Sequence, residues 1–128
     1  MRMLAAGLVF LVTGCVSQPV VPAGVAAGVA ETLNGRWTVD LSTNPDEPYT
    51  KPMELKLAAD GTVTGSFYDS EILAGRWKTD RGRTCVSFRT TDGAGPYHSS
   101  ACLVGTGVSG QTWAEHRNFL FNWNAVRE

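Results

Sequence analysis

The chain of 128 residues lacks a strong charge of either sign: 11 Lys and Arg face 12 Asp and Glu, for a formal net charge of -1. No sequence-wide cationic field exists to hold a phosphate backbone, so a nucleic-acid partner is not expected. It also lacks a bilayer-spanning apolar run, because residues 4–12 cover nine positions where a transmembrane helix needs about 20. With 14 Gly, 6 Pro, 43% hydrophobic and 18% charged residues it carries no collagen repeat, coiled-coil heptads or polyelectrolyte tail, and it fits one ordinary domain. Cysteine is scarce, at three. Charge and polar aromatics are missing from the amino-terminal quarter: Arg2 is its only charge before Glu31, and every Trp, Tyr and His lies beyond Arg36.

What stands there instead reads as an address. Arg2 followed by the apolar stretch is the pattern of a signal peptide. It ends in Leu11-Val12-Thr13-Gly14-Cys15, which resembles the lipobox of bacterial lipoproteins. The resemblance implies diacylglyceryl transfer to the Cys15 sulfur, cleavage after Gly14 and acylation of the new amino terminus, a palmitate-type anchor. Several acyl chains make membrane attachment stable. The competing reading, a thiol buried in an amphipathic helix, needs a polar face that these residues do not provide. Val16 stands where enteric lipoproteins retained at the inner membrane carry Asp, so the expected location is the outer membrane, facing the periplasm. Residues 16–32 are Ser, Gln, Pro, Val, Ala and Gly with one charge, and read as a tether rather than a helix, since Gly24 and Gly28 would each cost about 1 kcal/mol in a helix interior. The expected organisation is a signal peptide at 1–14, an acylated tether at 15–32 and a folded domain at 33–128.

With Cys15 assigned to lipid, Cys85 and Cys102 form an even pair in an oxidising compartment, and a disulfide is the default. Asp92-Gly93-Ala94-Gly95 lies midway between them. An antiparallel hairpin centred there sets Cys85 opposite Cys102, Ser87 opposite Ser100 and Arg89 opposite His98 on an outer face. Thr84, Val86, Phe88 and Thr90 then face inward with Leu103, Ala101, Ser99 and Tyr97. A metal site is a poor rival, because only His98 and His116 could join the two thiols.

Period-two alternation recurs from Gly35 onward with turn residues every eight to twelve positions, which predicts an all-β domain of eight short strands. Trp37, Val39 and Leu41 face inward from the first, Met53, Leu55 and Leu57 from the second, and Val63, Gly65 and Phe67 from the third, with Phe67 opposite Met53. The fourth offers Leu73, Gly75 and Trp77, with Gly75 opposite Gly65. The last alternates Phe119, Phe121, Trp123 and Ala125 inward. If Glu115-His116-Arg117 is a three-residue turn, Trp113 faces Phe119, and Ser109 and Gln111 enter the interior; the opposite phase buries Val108, Gly110 and Thr112 and exposes Trp113. Eight consecutive strands with short connections make an antiparallel meander that closes into a small up-and-down barrel, removing both sheet edges, with an open sheet as the alternative.

Leu33-Asn34-Gly35-Arg36-Trp37 matches the Gly-x-Trp opening of the calycin superfamily, and Asp60-Gly61-Thr62-Val63-Thr64-Gly65-Ser66-Phe67 resembles an avidin run of Asp-Gly, a hydrophobic residue, Thr-Gly and an aromatic. The avidin-like resemblance implies an eight-stranded barrel. It does not imply biotin: an Asn that would bond the ligand is Val39 here, and a Tyr that would reach the ureido oxygen is Phe67.

Chemistry is sparse. Gly105-Thr106-Gly107-Val108-Ser109-Gly110 spells G-x-G-x-x-G, but no helix follows and a hairpin turn is expected. His98 and His116 have no nucleophile at useful spacing, so no enzyme, cofactor or metal is expected. Asp46, Glu47, Asp69 and Glu71 read as solvated loop acids, and Arg76, Lys78, Arg81, Arg83 and Arg89 as an outer surface paired with Asp80 and Asp92. Two functions survive. The favoured one is a protein-facing binding module of the envelope, docking to or inhibiting another envelope protein, because an eight-stranded barrel is barely wide enough for its own side chains. The alternative is a small-ligand binder with a pocket of Trp77, Tyr97, Ser99, Ser109, Gln111, Trp113 and Trp123, which an interior void of several hundred cubic ångströms would favour.

Overall fold

The computed structural model describes Gly14 and residues 32–128; Cys15 and nearly all of the proposed signal peptide and tether lie outside the described residues. The strands are β1 (Gly35–Asp40), β2 (Thr50–Leu57), β3 (Thr62–Phe67), β4 (Ser70–Glu71), β5 (Leu73–Asp80), β6 (Arg83–Thr91), β7 (Pro96–Val104), β8 (Gly107–Ala114) and β9 (Phe119–Arg127), with one 3-10 turn at Glu115–Arg117. All pairings are antiparallel and run in the order β2-β1-β9-β8-β7-β6-β5-β3, with β2 pairing β3 to close the sheet and β4 adding to β3 beside β5. Apart from the two-residue β4, eight strands form the ring. The all-β, eight-stranded up-and-down barrel expected from the sequence is what forms.

The turns explain the closure. Arg81 and Gly82 both have positive φ in the two-residue β5–β6 connection, the backbone that follows the right-handed twist of a hairpin. The G-x-G-x-x-G run is the β7–β8 hairpin, with Val104 opposite Gly107. The disulfide hairpin has the anticipated register throughout, from Cys85 opposite Cys102 to Thr90 opposite Tyr97, and the Cys85–Cys102 bond is present.

One end of the barrel is plugged. Leu33 is fully buried beneath Trp37, whose indole N–H donates to the Leu33 carbonyl at 2.9 Å. The Arg127 guanidinium lies over the ring, 4.3 Å from its centroid, and donates to the carbonyls of Asn34 and Thr32. Val39, Met53, Leu55, Val63, Val86 and Trp123 continue the packed layer upward.

Two expected registers differ. Tyr68 and Asp69 both take positive φ, a two-residue turn that sets Phe67 opposite Ser70. A bulge at Ala74, itself at φ 51°, then shifts the frame, so Gly75 lies opposite Val63 rather than Gly65. A Cβ on Gly75 would come within 2.3 Å of the Val63 carbonyl oxygen, so the two strands touch at backbone distance. Ile72 takes the core position expected of Leu73, which turns outward beside Arg89. In β8 the connection to β9 is one residue longer than assumed, because Asn118 adds a left-handed residue after the 3-10 turn. Ala114 therefore pairs with Phe119 and Trp113 with Leu120, and the inward residues are Val108, Gly110, Thr112 and Ala114. One residue of register exchanges the two faces of a strand.

The bridge closes a loop with a sequence separation of 17. Replacing both cysteines by alanine is expected to lower the unfolding free energy in urea by about 3 kcal/mol, through the regained freedom of the unfolded chain. A double variant as stable as wild type would show that the β6–β7 ladder alone holds this hairpin.

Candidate functional site

Above the packed layer the bore is open. A cavity of about 660 Å³ occupies the end opposite the plug, entered between the 42–49 loop, the Tyr68 turn, the Asp92 turn and the β8–β9 connection. Its inner surface is Phe67, Thr112 and Phe121; Leu41, Thr90, Tyr97 and Phe119 line it higher up. The change from filled to open follows from side-chain size. At the level where Phe88, Ser99, Thr112 and Phe121 stand side by side across four strands, two of the four are small hydroxyl residues.

The pocket residues named from the sequence separate into three groups. Tyr97 lines the cavity, and Ser99 and Trp123 stand directly behind its wall: the Trp123 indole N–H donates to Thr112 Oγ1 at 2.9 Å, and Ser99 Oγ lies 2.9 Å from the same oxygen. Trp123 can lie flat against the wall because β8 offers Gly110 there; a Cβ would stand 2.4 Å from the ring. Trp77 belongs to the plugged half, donating to the Ala58 carbonyl at 2.7 Å. Ser109, Gln111 and Trp113 are on the outer wall, contrary to the expected phase, for the reason given by the longer β8–β9 connection. Gln111 donates to Asn122 there, and Trp113 is 39% exposed between His98 and Leu120.

The rim is tied together by Asp92, a cluster that sequence reasoning missed. Oδ1 accepts the backbone N–H groups of Ala94 and Gly95 at 2.8 and 3.0 Å; Oδ2 takes Arg117 Nε at 2.6 Å and the Tyr97 hydroxyl at 3.0 Å, and lies 3.2 Å from His116 Nε2. The Ala94 N–H above all, with Arg117, His116 and the Gly95 N–H, holds the Asp92 carboxyl far below the usual carboxylate range despite the desolvation that opposes it. The available signal was topological: in a meander the β6–β7 and β8–β9 turns open on the same end. Asp92 is thus committed to the rim and not to Arg89. Across the mouth, Lys51 Nζ donates to Asp69 at 2.9 Å, and the Tyr49 and Tyr68 hydroxyls bond to each other. The Tyr49 hydroxyl raises the Tyr68 pKa above its ordinary value.

On the outer wall, Arg76, Lys78, Arg81 and Arg83 surround a groove over the disulfide, with Asp60 and Asp80 among them and Lys78 3.5 Å from Asp80. Arg89 lies further along β6, opposite His98. Among the described residues no three His, Cys, Asp or Glu side chains gather as a metal site. No protein-family model, no curated protein and no solved structure matches the chain.

Asp92→Asn keeps a side-chain acceptor in the turn and removes the charge from the rim. At neutral pH it is expected to be less stable than wild type in urea. A depressed folded pKa stabilises above the unfolded value of about 3.9, and that advantage is lost as pH falls below it, when unfolded Asp takes up a proton that folded Asp92 does not. The two stability curves should therefore converge from about pH 5 downward; curves that stay parallel would remove the charge cluster as a source of stability.

Proposed function

We propose that the protein is a non-catalytic, small-ligand-binding barrel of the bacterial envelope. The observation that carries the reading is the cavity of about 660 Å³, within the range of pockets that enclose small molecules, with aromatic walls and a few hydroxyls. It favours the alternative weighed from the sequence over the protein-facing module, because the bore is not filled by its own side chains at the mouth. The lipobox-like residues 11–15 support attachment of the chain to a membrane through Cys15, with the outer membrane as the expected site.

N-phenyl-1-naphthylamine, a neutral dye that brightens in apolar surroundings, tests the cavity. The full chain carrying Cys15→Ser is expected to bind it saturably at one site per chain. Thr90→Trp, which sends an indole into the cavity from β6, should weaken binding by about tenfold or more, about 1.4 kcal/mol, with unchanged circular dichroism. Equal binding by both chains would overturn the reading.

One observation favours a protein-facing surface as a second reading. Arg89, His98, Trp113 and Leu120 form a cross-strand row on the outer wall, mixing a half-exposed indole with cationic and apolar neighbours. Aromatic and Arg residues are the groups that anchor protein interfaces. Trp113→Ala would weaken such docking and leave dye binding unchanged.

Membrane attachment has its own test. In fractionated cells the wild-type chain is expected in the outer-membrane fraction and the Cys15→Ser chain in the soluble one; a Cys15→Ser chain that still sediments with membranes would exclude the lipid anchor.

A further inference from the structure

We infer that the cavity takes a neutral, mainly apolar molecule whose inner end carries an oxygen acceptor of the carbonyl type, bound by the hydroxyl proton of Thr112. This rests on the small-ligand reading above and names the ligand's chemistry.

The polarity of the inner end follows from counting protons. Trp123 Nε1, Thr112 Oγ1 and Ser99 Oγ form a chain with two contacts, each 2.9 Å, and three protons. The indole N–H has no acceptor capacity, so its proton goes to Thr112. One hydroxyl proton fills the Thr112–Ser99 contact, and one is left over. Ser99 is 1% exposed and does not line the cavity, so a spare proton on Ser99 would be sealed away without an acceptor, the costly arrangement for a buried polar group. Thr112 does line the cavity. The arrangement without that cost has Ser99 donating to Thr112, whose two lone pairs are then both used, and Thr112 donating into the cavity. The buried end of the site thus offers a donor and asks for an acceptor.

Thr90 is an independent second polar point. It is only 4% exposed, lines the cavity, and its hydroxyl has no protein partner among the described residues. It stands on β6, two strands from Thr112 and one level nearer the mouth, so it meets a different part of the ligand.

Neutrality follows from the placement of charge. The charged lining residues are Glu47, Asp92 and Arg117, all in connections at the rim, and Asp92 and Arg117 are in contact with each other. Among the described residues no cation lines the inner end to balance a carboxylate drawn in beside Phe67 and Phe121, and an uncompensated ion there would lose its hydration. The aromatic walls suit a flat or ring-bearing body.

Three naphthalenes of similar size separate the possibilities, using the full chain with Cys15→Ser and titration calorimetry. 2-Acetylnaphthalene is expected to bind about tenfold more tightly than 2-ethylnaphthalene, the advantage of one hydrogen bond, and 2-naphthoate more weakly than either. Thr112→Val should abolish the acetyl preference, and Thr112→Ser should keep it. The carbonyl stretch of bound 2-acetylnaphthalene in the wild-type chain should fall below its value in alkane, which reads the bond directly if Thr112→Val does not fold. Equal affinities for acetyl and ethyl compounds, an unshifted stretch, or tightest binding of the naphthoate would overturn the inference and leave the small-ligand reading standing. Binding of none of the three would overturn both.

Discussion

The ring of Phe67 lies across the bore of the barrel, its centroid 5.4 Å from Phe88 on one side and 5.1 Å from Trp123 on the other. Three aromatic side chains from β3, β6 and β9 thus meet across the interior. An eight-stranded barrel is just wide enough for such a layer, so three rings suffice to close it. Below, Trp37, Met53, Leu55 and Val63 pack without an opening and Leu33 caps the end; above, Phe67 and Phe121 become the inner surface of a cavity. The same ring is core on one face and site on the other. A domain of this size has little apolar surface to bury, so dividing the interior in this way leaves stability to the plugged half, the closed ladder and the disulfide.

Much of the barrel was legible because its alternation is strict and several turns are fixed by composition. The β6–β7 hairpin is the clearest case: a turn cluster centred between two cysteines leaves only one register that pairs them, and that register carries every inward residue with it. The β2–β3 hairpin is similar, with Gly61 in a positive-φ conformation at the turn and Met53 opposite Phe67 as anticipated. In both, local turn chemistry and the two-residue period point to the same answer.

The misreadings occurred where a non-glycine residue took a left-handed backbone. Asn118, Tyr68, Asp69 and Ala74 all have positive φ, and each adds to or moves a connection in a way that composition signals weakly or not at all. Asn118 alone exchanged the faces of β8, exposing Trp113 and bringing Thr112 inside. The cavity was invisible for a related reason. Whether a bore is filled depends on which residues share a level, and the neighbours of Ser99 include Thr112 only once β8 has its true phase. The pocket drawn from the sequence therefore held two of the residues that support the wall, Ser99 and Trp123, and omitted the residue between them.

The position of the cavity also follows from the meander. The described chain enters at the plugged end, where Arg127 bonds the carbonyls of Thr32 and Asn34, so Thr32 and the mouth are at opposite ends of the barrel. The rim residues are then the ones any incoming molecule meets first, and their charges are largely spent on one another: Asp92 on Arg117, and Asp69 on Lys51. A rim with its charges paired does little to steer ions, so under the proposed ligand reading the aromatic walls and two hydroxyls of the interior are the groups left to discriminate. Selectivity in such a site is set by the few polar atoms that the packing leaves without partners, and the packing around Trp123 leaves the Thr112 proton.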